Sequence, residues 1–180
     1  MGVRDIYARE AYAFGRLLAD RGIGLVFGGG SVGLMGKVAD GALDAGGEVI
    51  GVMPHGLKVR ELEHKRVHTM HVVDSMHERK ALMESLSDAF VALPGGFGTQ
   101  DELFEILTWS QLGIHQKPVG LLNTQKYYDP WIALIDHQMR EGFVKPIYKE
   151  LFVVDESGVQ LLERLQKHSL PEVTQWNIKA

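Results

Sequence analysis

Apolar residues Ile6, Tyr7, Ala11, Phe14, Leu17 and Leu18 recur at helical spacing near the start of the chain, and Gly22 and Gly24 stop the pattern. The pattern then changes type repeatedly. Ile23 to Phe27 reads as a short buried strand, and the glycine turn after it opens a helix within GGGSVGLMGKVADGALDAGG. EVIGVM, Glu48 to Met53, is a second strand, and the polar stretch from Pro54 to Arg66 is a loop or short helix. Val67 to Val73 is a third strand, after which Ser75 and Glu78 form the S-x-x-E box that opens a helix to about Leu86. Phe90 to Leu93 is a strand, PGGFGTQDE a turn, and a helix runs from there to about Leu112, with Thr99 and Glu102 spaced as its T-x-x-E cap. The strand KPVGLLN, a helix from Pro130 capped by Asp129, a strand from Leu151 to Val154 and a helix from Val159 to Leu165 complete the series.

Strand and helix units of this length, with strands apolar throughout, predict an α/β, Rossmann-like, doubly wound parallel sheet with helices on both faces. The 180 residues are expected to form one domain, 1–180, with an irregular tail from about residue 169. A doubly wound fold opens on a strand, whereas this pattern opens on a helix, so a first strand is expected to be missing.

Composition narrows the function. There are no cysteines, which excludes disulfides and thiolate chemistry. A formal charge of −4 argues against general nucleic-acid binding, which needs a basic field. No run of about eighteen apolar residues suggests a membrane span, and MGVRDIYARE lacks the apolar core of a signal peptide, so the expected location is cytoplasmic. The 21 glycines fall mostly in short clusters after apolar runs, which points to turns that build a site.

Two such turns stand out. Gly28 to Gly33 match G-x-G-x-x-G between a strand and a helix, but the next strand ends in Val52-Met53-Pro54, without the acidic residue that would bind a dinucleotide ribose. The plainer use of this turn, through Gly29, Gly30 and Ser31, is to hold a phosphate or ribose at a helix start, where unpaired N–H groups and the helix dipole favour an anion. The second turn, PGGFGTQDE, offers the same donors, and a bound phosphate would release Glu102 from capping for other work. Arg79 and Lys80 occupy the electropositive end of their helix, an unfavourable place for cations. They are either a solvated or ion-paired surface pair, with Glu78 or Glu84 as partners, or the basic wall of an anion site in the crevice that both glycine turns are expected to face. The eight histidines are dispersed, and none forms an H-x-x-x-H or H-x-E pattern, so metal catalysis is not expected.

Taken in order, GGGSVGLMG, DSMHERKALM, PGGFGTQDE and LTWSQLGIHQKPVGLLN resemble the LONELY GUY (LOG) family of cytokinin-activating nucleoside 5′-monophosphate phosphoribohydrolases over nearly the whole chain. The resemblance implies Arg79 and Glu102 as the catalytic pair. It implies a substrate site built from Lys80, Gly95, Gly96, Phe97, Gly98, Thr99, Gln100 and Asp101, with further contacts from Glu61 and Thr108. It also implies hydrolysis of the N-glycosidic bond of an N6-substituted adenosine 5′-monophosphate, no cofactor, no metal, no membrane or nucleic-acid partner, and a homodimer. Some members carry the label lysine decarboxylase, but nothing in this sequence marks a Schiff-base lysine with a partner for a pyridine nitrogen. The alternative is a non-catalytic nucleotide-binding or cofactor-carrier protein of the same fold. Met76, Phe97, Trp109 and Leu112 are expected either to line an apolar base pocket, favouring prenylated over plain substrate, or to belong to the core.

Overall fold

The structure, a computed structural model, describes residues 2–58 and 63–172. It divides into two compact units, Met1–Ser87 and Asp88–Ala180. In both, every strand pair is parallel, and the elements alternate as the apolar pattern predicts.

The first unit contains α1 (Asp5–Asp20), β1 (Leu25–Phe27), α2 (Gly33–Asp44), β2 (Val49–Pro54), the single-turn α3 (His55–Lys58), β3 (Thr69–Val73) and α4 (Met76–Leu86). Its sheet order is β1-β2-β3, with Leu25 opposite Val49 and Ile50 opposite Thr69. Helices α1 and α2 pack backbone to backbone. A Cβ on Gly15 would lie 2.0 Å from the Val38 carbonyl oxygen, and one on Gly41 would lie 2.0 Å from that of Tyr12. Small residues on α2 let Ala39 and Ala42 join Phe27 and Val49 in the core.

The second unit contains β4 (Phe90–Ala92), α5 (Phe97–Gln111), β5 (Val119–Leu122), a 3₁₀ turn (Thr124–Lys126), α6 (Asp129–Arg140), a second 3₁₀ turn (Pro146–Leu151), β6 (Phe152–Asp155) and α7 (Gly158–Lys167). Its sheet order is β4-β5-β6, with Phe90 opposite Val119 and Val119 opposite Phe152. Leu103 and Ile106 of α5 pack with Val119, Leu121, Tyr128, Trp131, Ile135 and Phe152. Burying side chains of this size contributes about 1.5–3 kcal/mol each, which is what fixes α5 on its sheet. Because β4 and β5 run parallel and side by side, the turns leaving their carboxyl ends emerge at the same edge.

Two helix starts differ from expectation. Helix α6 begins at Asp129 with Tyr128 as its N-cap and no side-chain cap, so Asp129 is the first helical residue and not the cap. Its carboxylate instead accepts a hydrogen bond from Asn123 Nδ2 at 2.8 Å. Helix α5 begins at Phe97 with Gly96 as N-cap and no side-chain cap, so Thr99 and Glu102 form no capping box. The helix starts three residues earlier than T-x-x-E suggests, because glycine at the N-cap lets it grow directly from the turn. Among the described residues, no helix is long and apolar enough to cross a membrane.

Candidate active site

In the first unit the site is organised by the start of α4. Ser75 Oγ accepts the Glu78 N–H at 3.1 Å, and Glu78 Oε2 accepts the Asp74 N–H at 2.9 Å. This is the expected box, with the carboxylate reaching one residue further back than the cap itself. It fixes the first turn and directs Arg79 inward, where only 8% of it remains exposed. The solvated reading of this arginine is thereby excluded.

Arg79 Nε donates to the Val52 carbonyl of β2 at 3.2 Å, and Nη1 lies 4.0 Å from Met76 Sδ. The guanidinium fills the space beside Gly28, the first residue after β1. A Cβ on Gly28 would come within 1.8 Å of Arg79 Nη2 and 2.9 Å of Cζ. The first glycine of G-x-G-x-x-G is thus small because an arginine occupies its side-chain volume. A buried guanidinium is costly unless it is hydrogen-bonded or faces an anion, and the N-terminal half of a helix raises that cost. Lys80, next along the helix, is half-buried.

The rest of that turn has other partners. Gly29 takes a left-handed φ of +75°, its carbonyl accepts the His64 N–H at 2.8 Å, and Gly30 bridges to Glu63. His64 is buried, with Nε2 3.2 Å from Asp40 Oδ1 and Nδ1 accepting the Arg66 N–H at 3.4 Å. Ser31 lines a cleft of about 550 Å³ with Asp40, Glu63, His64, Lys65 and Arg66. Arg79 is not among the residues that line this cleft. Helix α2 starts at Gly33, and no side chain caps it.

In the second unit the PGGFGT turn is the counterpart. Pro94 is buried, whereas Gly96, Phe97 and Gly98 are exposed, Phe97 to 96%. The Thr99 hydroxyl folds back over Gly95, where a Cβ would lie 2.1 Å from Thr99 Oγ1. A Cβ on Gly96 or Gly98 would meet nothing within 4 Å, so the space beside the uncapped helix start is open. Glu102 is half-buried and stands on the same face as Gly98, one turn further along α5. Asp101 is exposed, while Gln100 is half-buried with Oε1 buried and without a hydrogen-bond partner. Thr108 donates its hydroxyl to the Phe104 carbonyl at 2.7 Å, inside its own helix.

Of the apolar candidates, Phe97 and Met76 are exposed, whereas Trp109 packs against the core of the second unit. His115 is a buried structural residue, its Nε2 2.9 Å from the Ile106 carbonyl oxygen and its Nδ1 accepting the Lys117 N–H at 3.1 Å. Glu61 lies outside the described residues. Sequence reasoning missed Tyr127 and Tyr128, whose hydroxyls each donate at 2.6 Å to the carbonyls of Gly95 and Leu93. Nothing in their local sequence signals that reach. Among the described residues, no group of three or more histidine and carboxylate side chains is placed to hold a metal ion.

These features define an α/β protein whose glycine turns and helix starts lie at the carboxyl ends of parallel strands. Solved structures agree on the fold. A molybdenum cofactor binding protein from Rippkaea orientalis aligns with a TM-score of 0.69 at 23% identity, covering 91% of this chain and 88% of that one. The molybdenum cofactor carrier protein of Chlamydomonas reinhardtii aligns with a TM-score of 0.67 at 24% identity over the same shares. A family model described as "possible lysine decarboxylase" matches residues 35–165. The rice protein "probable cytokinin riboside 5′-monophosphate phosphoribohydrolase LOGL1" is 48% identical over 168 residues, 93% of this chain and 75% of the relative. Cytokinin riboside 5′-monophosphate phosphoribohydrolase LOG3 of Arabidopsis thaliana is 45% identical over 168 residues, 93% of this chain and 78% of the relative. The chain belongs to the LOG family of cytokinin riboside 5′-monophosphate phosphoribohydrolases.

Proposed function

We propose that the protein hydrolyses the N-glycosidic bond of N6-substituted adenosine 5′-monophosphates, releasing the free base and ribose 5-phosphate. The observation that carries this reading is the uncapped, glycine-built start of α5 with a carboxylate, Glu102, one turn along the same face. The N–H groups of the first helical turn and the helix dipole hold the 5′-phosphate. Gly95 to Thr99 supply that cradle, with Gln100 and Asp101 at its edge and Thr108 further along the helix. In the reaction the bond from C1′ to the base breaks, its electron pair leaves with the base, and water adds to C1′. Positive charge develops at C1′ and the ring oxygen, as in glycoside hydrolysis. Glu102 stabilises that charge and accepts a proton from the attacking water, and a proton is delivered to the departing base, so that the products are the neutral base and ribose 5-phosphate with the carboxylate restored. Arg79, with Lys80 beside it in sequence, supplies positive charge to the phosphate or the departing base. Gly29, Gly30 and Ser31 contribute a second turn for phosphate or ribose. Glycosidic hydrolysis, not decarboxylation, is the chemistry these residues suit.

Incubation of the purified protein with N6-isopentenyladenosine 5′-monophosphate should release isopentenyladenine and ribose 5-phosphate, separable by chromatography. A higher kcat/KM for this nucleotide than for plain adenosine 5′-monophosphate is expected. Binding of either nucleotide without base release would favour a carrier or nucleotide-binding protein instead.

The assembly proposed is a homodimer. Phe104 on α5, with Met76 and Leu86 on α4, leaves large apolar side chains partly exposed, each about two-fifths. A second copy of the chain would cover such surface at low cost. Light scattering at micromolar concentration should give twice the chain mass of 20.0 kDa, and a monomer would contradict the assignment.

A further inference from the structure

The turn that follows β5 has no role in the chemistry above, yet its geometry is unusually constrained. Asn123 is buried and bonded on three sides. Its N–H donates to the Asp155 carbonyl at 2.8 Å, Nδ2 donates to Asp129, and Oδ1 accepts the Tyr128 N–H at 2.7 Å. Between these anchors Gln125 and Lys126 take left-handed φ values of +56° and +60°, a conformation that side-chain-bearing residues adopt only where their surroundings impose it. The result is that two consecutive tyrosines, between the 3₁₀ turn after β5 and the start of α6, reach back to the end of β4 and the glycine turn beyond it, Tyr128 to the Leu93 carbonyl and Tyr127 to the Gly95 carbonyl.

We propose that Tyr127 is a positioning residue that aims the Gly96 N–H at the substrate phosphate, with Tyr128 and Asn123 as its supports. The inference rests on the reading that the PGGFGT turn holds the 5′-phosphate. The reason lies in the peptide unit itself. The Gly95 carbonyl and the Gly96 N–H belong to one planar trans peptide and point in opposite directions. The Tyr127 hydroxyl, donating to the Gly95 carbonyl at 2.6 Å, therefore sets where the Gly96 N–H points. Glycines flank that peptide on both sides, so its own backbone preferences leave the plane free to rotate. Polarisation of the carbonyl by the hydroxyl also makes the N–H a better donor. Tyr128 holds the other side of Pro94 through the Leu93 carbonyl. Burial pushes the Tyr128 phenol well above its ordinary pKa, so it stays a donor throughout the working pH range.

The test is Tyr127→Phe in the full chain, which removes one hydroxyl from a side chain 38% exposed and should leave the melting temperature unchanged. The expected result is a roughly tenfold rise in KM for the nucleotide with kcat little changed, and a similar loss of affinity for ribose 5-phosphate. A purely structural tyrosine would move stability or kcat and would not confine its effect to phosphate-bearing ligands. Unchanged KM and unchanged ribose 5-phosphate affinity in the variant, with a wild type that binds normally, would overturn the role of Tyr127 and leave the phosphate reading standing. A wild type that binds no ribose 5-phosphate would overturn the phosphate reading itself, and this inference with it.

Discussion

Glu102→Gln should give a folded protein that binds adenosine 5′-monophosphate normally and turns it over roughly 10² to 10⁴ times more slowly. The substitution keeps shape and removes charge. A residue that only terminated a helix would tolerate it, since glutamine serves in a capping box as glutamate does. That explanation is already closed, because α5 starts at Phe97 with Gly96 as its cap. Placed six residues past the cap, the carboxylate lies beyond the four N–H groups a cap must satisfy. A loss of turnover with binding retained is the signature of an interaction made in the transition state. The control is thermal: the variant should melt within about 2 °C of wild type, as expected for a polar exchange at a half-buried position. Wild-type rates of base release from the variant would remove Glu102 from the chemistry and leave PGGFGTQDE as an anion-binding turn alone.

What could be read from the sequence divides by the range of the interactions involved. Helix α4 and its cap were legible because S-x-x-E is a local device, complete within four residues. The alternation of strands and helices was legible because each element carries its own apolar period. Local reading failed where two local signals competed. Thr99 and Glu102 carry the spacing of a cap, but a glycine three residues earlier ends the turn first. Asp129 before a proline reads as a cap, but Asn123 claims its carboxylate and Tyr128 takes the cap position. The strand ends were misplaced by one or two residues, as with Leu25 in place of Ile23, because apolar residues continue beyond the last ladder bond. The contacts that shape the candidate site, Arg79 on Gly28 and Tyr127 on Gly95, join residues far apart in the chain and leave no periodic trace. Arg79 and the glycines stood out by residue type, while the reason for them did not, and Tyr127 did not stand out at all.

Gly28 itself supplies the sharpest test of the arginine. Gly28→Ala should leave the fold nearly intact and lower turnover roughly 10- to 10³-fold, about as much as Arg79→Ala. Gly28 does not adopt a left-handed backbone, so alanine brings no conformational strain of the kind it would meet at Gly29, where φ is +75°. The new methyl group would collide with Arg79 Nη2 at 1.8 Å and Met35 Sδ at 3.0 Å, and both are far ends of flexible side chains that can swing away. Stability should therefore fall by about what the displaced contacts of Arg79 contribute, of which the hydrogen bond from Nε to Val52 is about 1.5–3 kcal/mol for a charged donor. The guanidinium, however, cannot stay where it is, and a site that needs its charge at that point loses it. If displacement of Arg79 is the whole effect, the double variant Gly28→Ala, Arg79→Ala should be no slower than Arg79→Ala alone, because the second change has nothing left to displace. Additive losses would mean that Gly28 acts on the substrate directly. A Gly28→Ala enzyme at the wild-type rate would show that the buried position of Arg79 holds the fold and does not serve the reaction.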